Sequence, residues 1–360
     1  MSTSTDILFD VAGRVGMVVL NRPKAMNALT HAMCVALHGK LDEWAGSADV
    51  DAVVVMGAGE RAFCAGGDVV ALYESGLAWK AGDEASTGWR EFFHDEYRMN
   101  AAIHHFPKPY ISLLNGITMG GGVGISVHGS HRVATERTML AMPETGLGLF
   151  PDVGGGYFMP RLPGEMGLYL ALTGERVMAA DCCYLGITQV FIASDDLEKL
   201  TGALAAAKSL NQHSVDEILE DLAGDPGETK VASHAADIDR LFAGETLEDI
   251  MAALGSSAEE EEGEWAEKQL ARLARKSPTS MKVTFRQLRE GRRLGFNENM
   301  RMEFRIANHT LAGDDFYEGV RAILIDKDNA PAWRPASLAQ VSDADVEGYF
   351  AALDQELELG

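Results

Sequence analysis

Two glycine clusters constrain this chain more than any other feature of it. Gly66 and Gly67 stand in RAFCAGGD, and Gly120, Gly121, Gly122 and Gly124 stand in NGITMGGGVG. Each cluster follows an apolar, β-rich run and precedes a stretch of helical period. Glycine in such a place lets the backbone turn without a Cβ in the way, and N–H groups at the start of a helix then face outward. Two such groups converging on one point would form an oxyanion hole. Tight turns and close packing are the alternative that these residues leave open.

The text around the clusters repeats one plan. ILFDVAGRVGMVVLNRP reads as two strands about Gly13, and Pro23 stops the second. Leu29, Met33, Leu37, Leu41 and Trp44 then recur at helical spacing behind Asn27 and Thr30 as caps. Val53 to Met56 reads as a buried strand, Asp83 to His105 as helical, and KPYISLLNGITMGGGVGISVHG as strand, glycine cluster and helix. Repeated strand-strand-helix units predict a mixed α/β architecture, a spiral of such units rather than one doubly wound sheet. From about Thr201 the strand signal fades. The run Glu259 to Glu262 reads as a linker or a solvated helix end, and Leu270, Leu273, Met281, Phe285 and Leu288 predict further helices.

Charge narrows the partners. The 360 residues carry 31 Lys and Arg against 54 Asp and Glu, a formal charge of −23. Such a surface repels a phosphate backbone, so neither nucleic acid nor an anionic membrane is expected as a partner. The excess is local: residues 212–264 hold 16 acids against Lys230 and Arg240, whereas 265–334 hold 14 bases against nine acids. An anionic small molecule therefore stays compatible with the sequence. The N-terminus has no basic, apolar signal pattern and no stretch reaches 18 apolar residues, which makes the cytoplasm the expectation. Cys34, Cys64, Cys182 and Cys183 lack metal-ligand spacing and read as reduced, buried, small apolar groups. No metal and no separate cofactor are expected.

Common catalytic fingerprints fail. A GxGxxG beginning at Gly120 would need glycine at Ile125, and one beginning at Gly122 would need it at Val127; Ser126 in GISVH lacks the last glycine of a nucleophile elbow. His128 and His131 read as polar or capping residues. MPETGLGLFPDVGGGYF, by contrast, sets Glu144 and Asp152 among glycines, prolines and apolar side chains, where a carboxyl is held protonated to higher pH and suits acid and base work. Helix capping is the other reading of each.

RAFCAGGD (Arg61 to Asp68), NGITMGGGVG (Asn115 to Gly124) and PETGLGLFPDVGG (Pro143 to Gly155) stand in the order and spacing of the crotonase superfamily, which the opening NRPKAMNALT also resembles. Within it the chain is most similar to the thioester-hydrolase branch, through GGGVGISVHG, FPDVGGGYF and EGVRAILIDKD. The resemblance implies a spiral of β-β-α units over 1–205, an acidic helical insertion over 206–265 and a C-terminal helical region over 266–360. It implies an acyl-coenzyme A substrate, coenzyme A being part of the substrate, and association of copies into a homo-oligomer.

Carried over by position, the resemblance makes the backbone N–H groups of Gly67 and Gly121 the oxyanion-hole donors and Glu144 and Asp152 the catalytic pair. Hydratases of the superfamily use two glutamates; here Gly124 takes the place of the first, while Glu144 keeps the second. Asp152 stands where hydratases commonly have glycine. Glu96 matches a position that touches substrate, its alternative being a solvated helix residue. The loop Arg22 to Met26, with Ala62 and Ala65, falls where the adenine end of coenzyme A binds, and Lys24 and Lys282 are the candidates for contact with its phosphates. The implied activity is hydrolysis of a short branched 3-hydroxyacyl thioester, as in valine breakdown. The alternatives are an enoyl-coenzyme A hydratase or isomerase, and a homologue that binds acyl-coenzyme A without turnover.

Overall fold

The computed structural model describes residues 5–261 and 263–359. Glu262 of the acidic run, and the first four residues of the N-terminal reading, lie outside them. The chain divides into two compact units, each drawn from three stretches. One comprises residues up to Asp68, Asp95–Ala141 and Arg176–Ala232; the other comprises Val69–His94, Met142–Glu175 and the residues from Ser233 on.

Among the described residues the first unit holds ten strands: β1 (Ile7–Ala12), β2 (Val15–Leu20), β3 (Ala52–Gly57), β4 (Ala62–Cys64), β5 (Tyr110–Leu114), β6 (Ile117–Met119), β7 (His131–Ala134), β8 (Met139–Ala141), β9 (Val177–Met178) and β10 (Val190–Phe191). The expected hairpin is present, β1 pairing antiparallel with β2 and Ala12 opposite Val15. One sheet runs β1-β2-β3-β5-β7-β10 and the other β4-β6-β8-β9. Successive pairs β3/β4, β5/β6 and β7/β8 each place one strand in either sheet, which is how a spiral of repeating units looks from the backbone. β5 is buried at every position, which is why it reads as an unbroken apolar run rather than an alternating one. Helices Leu197–Ala206 and Gln212–Asp221 bury Leu200, Leu204, Val215 and Leu219 in one cluster with Val54, Ile111 and Val133.

Local rules account for the helix His31–Gly46. Thr30 is its N-cap, accepting from the Met33 N–H at 3.3 Å, and Met33, Leu37, Leu41 and Trp44 form its buried stripe. The helix Gly121–Val127 begins at Gly120, whose φ of 47° and ψ of −121° turn the chain out of β6.

The second unit, among the described residues, is helical. Met166–Thr173 is buried along its whole length. The longer helices Pro278–Gly291 and Phe296–Ala312 bury polar side chains among the apolar ones, including Gln287, Asn299 and Glu303. Within 206–265 the helices Gln212–Asp221, Ala235–Leu241 and Leu247–Ala258 bury Val215, Leu219, Ile238, Leu241, Ile250 and Leu254, and their acids occupy the remaining faces. The stretch contributes to both units, parting at Ala232, because composition and packing follow different boundaries here. Glu259 caps the end of helix Leu247–Ala258, so the acidic run begins as a helix end.

Candidate active site

In the first unit the two glycine clusters meet. Leu29 N–H donates to Gly66 O at 2.8 Å and Asp68 N–H donates to Leu29 O at 2.8 Å, a parallel bridge that leaves the Gly67 N–H turned to the opposite side. Gly121 is the first residue of its helix, where an N–H has no partner within the helix. The two residues are in contact: a Cβ built on Gly121 would lie 3.2 Å from the Gly67 nitrogen, and one built on Gly66 would lie 3.7 Å from the Gly121 nitrogen. Amides so placed can donate to a single acceptor oxygen. The same Cβ on Gly121 would stand 2.6 Å from Oε1 of Glu96, so glycine is what admits that carboxylate. Glu96, in the helix Gly88–His104, is 2% exposed, which rules out the solvated reading. Gly122 is needed for packing, since a Cβ there would reach within 2.1 Å of Cys64 O.

Residues carried over for coenzyme A also gather in this unit. Lys24 is exposed in the turn Pro23–Ala25, and Met26, at φ 51°, caps it. The Ala65 N–H donates to Met26 O at 3.0 Å, while Asn27 Nδ2 donates to Ala62 O at 2.9 Å, tying the loop to β4. Lys282 belongs to the other unit and its charge is met there, its Nζ lying 2.7 Å from Glu248 Oε1 and donating to Val341 O at 2.9 Å. Ser126 donates back to Gly122 O and Val123 O, both at 2.9 Å, as a helix residue does and not as an exposed nucleophile. His131 sits between Ser130 Oγ, at 2.8 Å, and Asp216, at 3.1 Å; this polar role accords with its sequence reading.

The second unit carries the carboxyls. Glu144 opens a 3-10 turn, Glu144–Leu147, behind Pro143 and is 4% exposed; its Oε2 meets no hydrogen-bond partner among the described residues. Burial, then the charge of Asp152, push its carboxyl well above the usual range, against the opposing pull of its own backbone N–H and of Lys276. Asp152 is 5% exposed, and its carbonyl accepts the Gly155 N–H at 2.7 Å. The structure thus brings Glu144 and Asp152 within electrostatic reach of each other.

Two further groups here escaped the sequence reading. Glu303, fully buried, accepts N–H groups from Gly154 at 2.7 Å and Gly156 at 2.8 Å; burial first, and Asp152 among the rest, push its carboxyl up to about 8. Lys276 stands where a Cβ on Gly146 or Gly174 would lie 3.3 or 3.1 Å from its Nζ. Burial, with Arg272 assisting and Glu144 opposing, lowers it to about 8. Helical spacing could have found Glu303, which shares the buried face of Asn299, Met300 and Ile306. Lys276 follows the helix Glu264–Leu273 in a polar connection and carries no such signal. Among the described residues no group of three or more His, Cys, Asp and Glu side chains is set to hold a metal ion. No helix among them is long and apolar enough to cross a membrane.

A spiral pair of sheets with two adjoining glycine amides, in a chain that also buries a carboxyl pair, defines the crotonase class of acyl-thioester enzymes. The chain belongs to the enoyl-CoA hydratase/isomerase family, whose model matches residues 15–350. A 3-hydroxyisobutyryl-CoA hydrolase, mitochondrial, of Danio rerio is 46% identical over 358 residues, 98% of this chain and 91% of its own. A crystal structure described as a carnitinyl-CoA dehydratase from Mycobacterium thermoresistibile matches with a TM-score of 0.90 at 41% identity, covering 99% of either chain. Another, of an enoyl-CoA hydratase from Rhodobacter sphaeroides 2.4.1, matches with a TM-score of 0.88 at 37% identity, over 99% of this chain and 100% of its own.

Proposed function

We propose that the chain hydrolyses the thioester of a short branched 3-hydroxyacyl-coenzyme A, with 3-hydroxyisobutyryl-coenzyme A as the substrate. Attack on a thioester carbonyl moves negative charge onto its oxygen, and in this reading the N–H groups of Gly67 and Gly121 stabilise that charge. Glu144 and Asp152 share one proton: with the charge on Glu144, that carboxylate either takes a proton from water or attacks the carbonyl to form a mixed anhydride, and Asp152 orients it or gives the shared proton to the departing thiolate. Glu96 contacts the acyl end, and the loop bearing Lys24 and Met26, with Ala62 and Ala65, receives the nucleotide end. Single turnover in oxygen-18 water separates the routes, since only the anhydride leaves label in Glu144.

The observation that carries this reading is the buried Glu144 carboxyl facing the charge of Asp152, in a chain that has Gly124 where hydratases carry their other glutamate. The relatives named as hydrolases support it. A hydratase reading has the two solved structures named for dehydration and hydration in its favour, and one assay divides the two. Thiol release from 3-hydroxyisobutyryl-coenzyme A, without loss of enoyl absorbance from crotonyl-coenzyme A, is expected; hydration without thiol release would overturn the proposal, and silence in both would favour a binding protein.

A further inference from the structure

Glu303 is a buried carboxyl held by uncharged donors, with the charge of Asp152 acting on it. Its Oε2 accepts the Gly154 N–H at 2.7 Å, and its Oε1 accepts the Gly156 N–H at 2.8 Å, Asn299 Nδ2 at 2.8 Å and Gln287 Nε2 at 3.1 Å. Gln287 Nε2 also donates to Pro151 O at 2.7 Å. The backbone is therefore gripped immediately before Asp152, at Pro151, and two and four residues after it. Between the grips Val153, a β-branched residue, is in an unfavourable conformation at φ 49°. A Cβ at Gly156 would come within 2.6 Å of Asn299 Oδ1 and 3.0 Å of Gln287 Nε2, so the loop lies directly on the network.

Burial raises the Glu303 carboxyl to about 8, and four N–H donors converging on its two oxygens hold it in one orientation. Two oxygens that both accept are what an amide at this position cannot supply, since its NH2 would face one of the two glycine N–H groups. We propose that Glu303 is a positioning residue of the reaction: by clamping the amides of Gly154 and Gly156 it fixes where the Asp152 carboxyl stands. The inference rests on the role proposed above for Asp152. Misplacing a catalytic group by about 1 Å costs on the order of a hundredfold in rate, whereas ground-state binding of the nucleotide end is untouched.

A double-mutant cycle on the full chain tests this, using thiol release. Glu303→Gln is expected to lower kcat tenfold to a hundredfold with KM within threefold of wild type. In an Asp152→Asn background the same substitution is expected to cost less than threefold more, because the group it positions is gone. Equal losses in both backgrounds, or wild-type kcat in Glu303→Gln, would overturn the assignment. Asn299→Ala, which removes one donor, keeps the cycle decisive if Glu303→Gln does not fold: a loss of about threefold to tenfold is expected with Asp152 present and none without it, and equal losses overturn the assignment. Wild-type turnover in Asp152→Asn alone would instead overturn the role of Asp152 on which the inference depends.

Discussion

Gly121→Ala is the substitution whose consequences the structure fixes most closely. The new methyl would lie 3.2 Å from the Gly67 nitrogen, next to the shell of 2.7 to 3.1 Å that an acceptor oxygen must occupy around such a donor. It would also stand 2.6 Å from Glu96 Oε1 and 3.2 Å from Leu29 Cδ1. The first of these is the far end of a flexible side chain and can swing away; the second asks for a shift of tenths of an ångström. Overpacking of this size costs roughly 1–3 kcal/mol of stability, which a domain of ordinary stability tolerates. The loss of one oxyanion donor costs about 2.7–4 kcal/mol in the transition state, a factor of a hundred to a thousand in kcat. Thiol release at saturating substrate, alongside thermal melting, is the assay, with Gly122→Ala as the contrast. There the methyl would meet the Cys64 carbonyl oxygen at 2.1 Å, a backbone atom that cannot step aside, so that variant is expected to fail in folding. A Gly121→Ala enzyme with kcat within threefold of wild type would refute the reasoning.

Other outcomes follow from the same geometry. Lys276 is a cation acting on Glu144, and removing it lets burial and Asp152 push that carboxyl still higher. Lys276→Met is therefore expected to move the acid limb of the kcat profile upward by about one pH unit, and Lys276→Arg should restore it. Identical profiles for Lys276→Met and wild type would remove the lysine from the account. Gly39 is exposed inside the helix His31–Gly46 with nothing within 4 Å of a built Cβ, so Gly39→Ala should stabilise the fold by about 0.5–1 kcal/mol with unchanged activity, measured by denaturant unfolding.

Much of this was legible in the residues, for physical reasons that also mark where legibility ends. The hairpin, the helix behind Thr30 and the buried run of β5 follow from local rules of period, capping and strand burial. Gly66, Gly67 and Gly121 announce themselves because glycine is what a crowded turn demands, although only the structure shows that the two clusters touch. Glu96 was ambiguous in HDEYRMN because a helix shows its period without saying which face packs against what. Glu303, Gln287 and Asn299 lie far along the chain from Asp152. Helical period puts Glu303 and Asn299 on the buried face of their helix, but nothing local joins that face to Asp152 until the helices are packed. The division of 206–265 between two units was invisible for a related reason: its acids mark the solvent faces of several helices, not a boundary.

Glu144→Gln tests the central claim most directly, because either route needs a carboxylate at that position and the amide keeps its shape. The account predicts that the variant folds, holds KM near the wild-type value and releases thiol from 3-hydroxyisobutyryl-coenzyme A at least a hundredfold more slowly. Thiol release at the wild-type rate would contradict it.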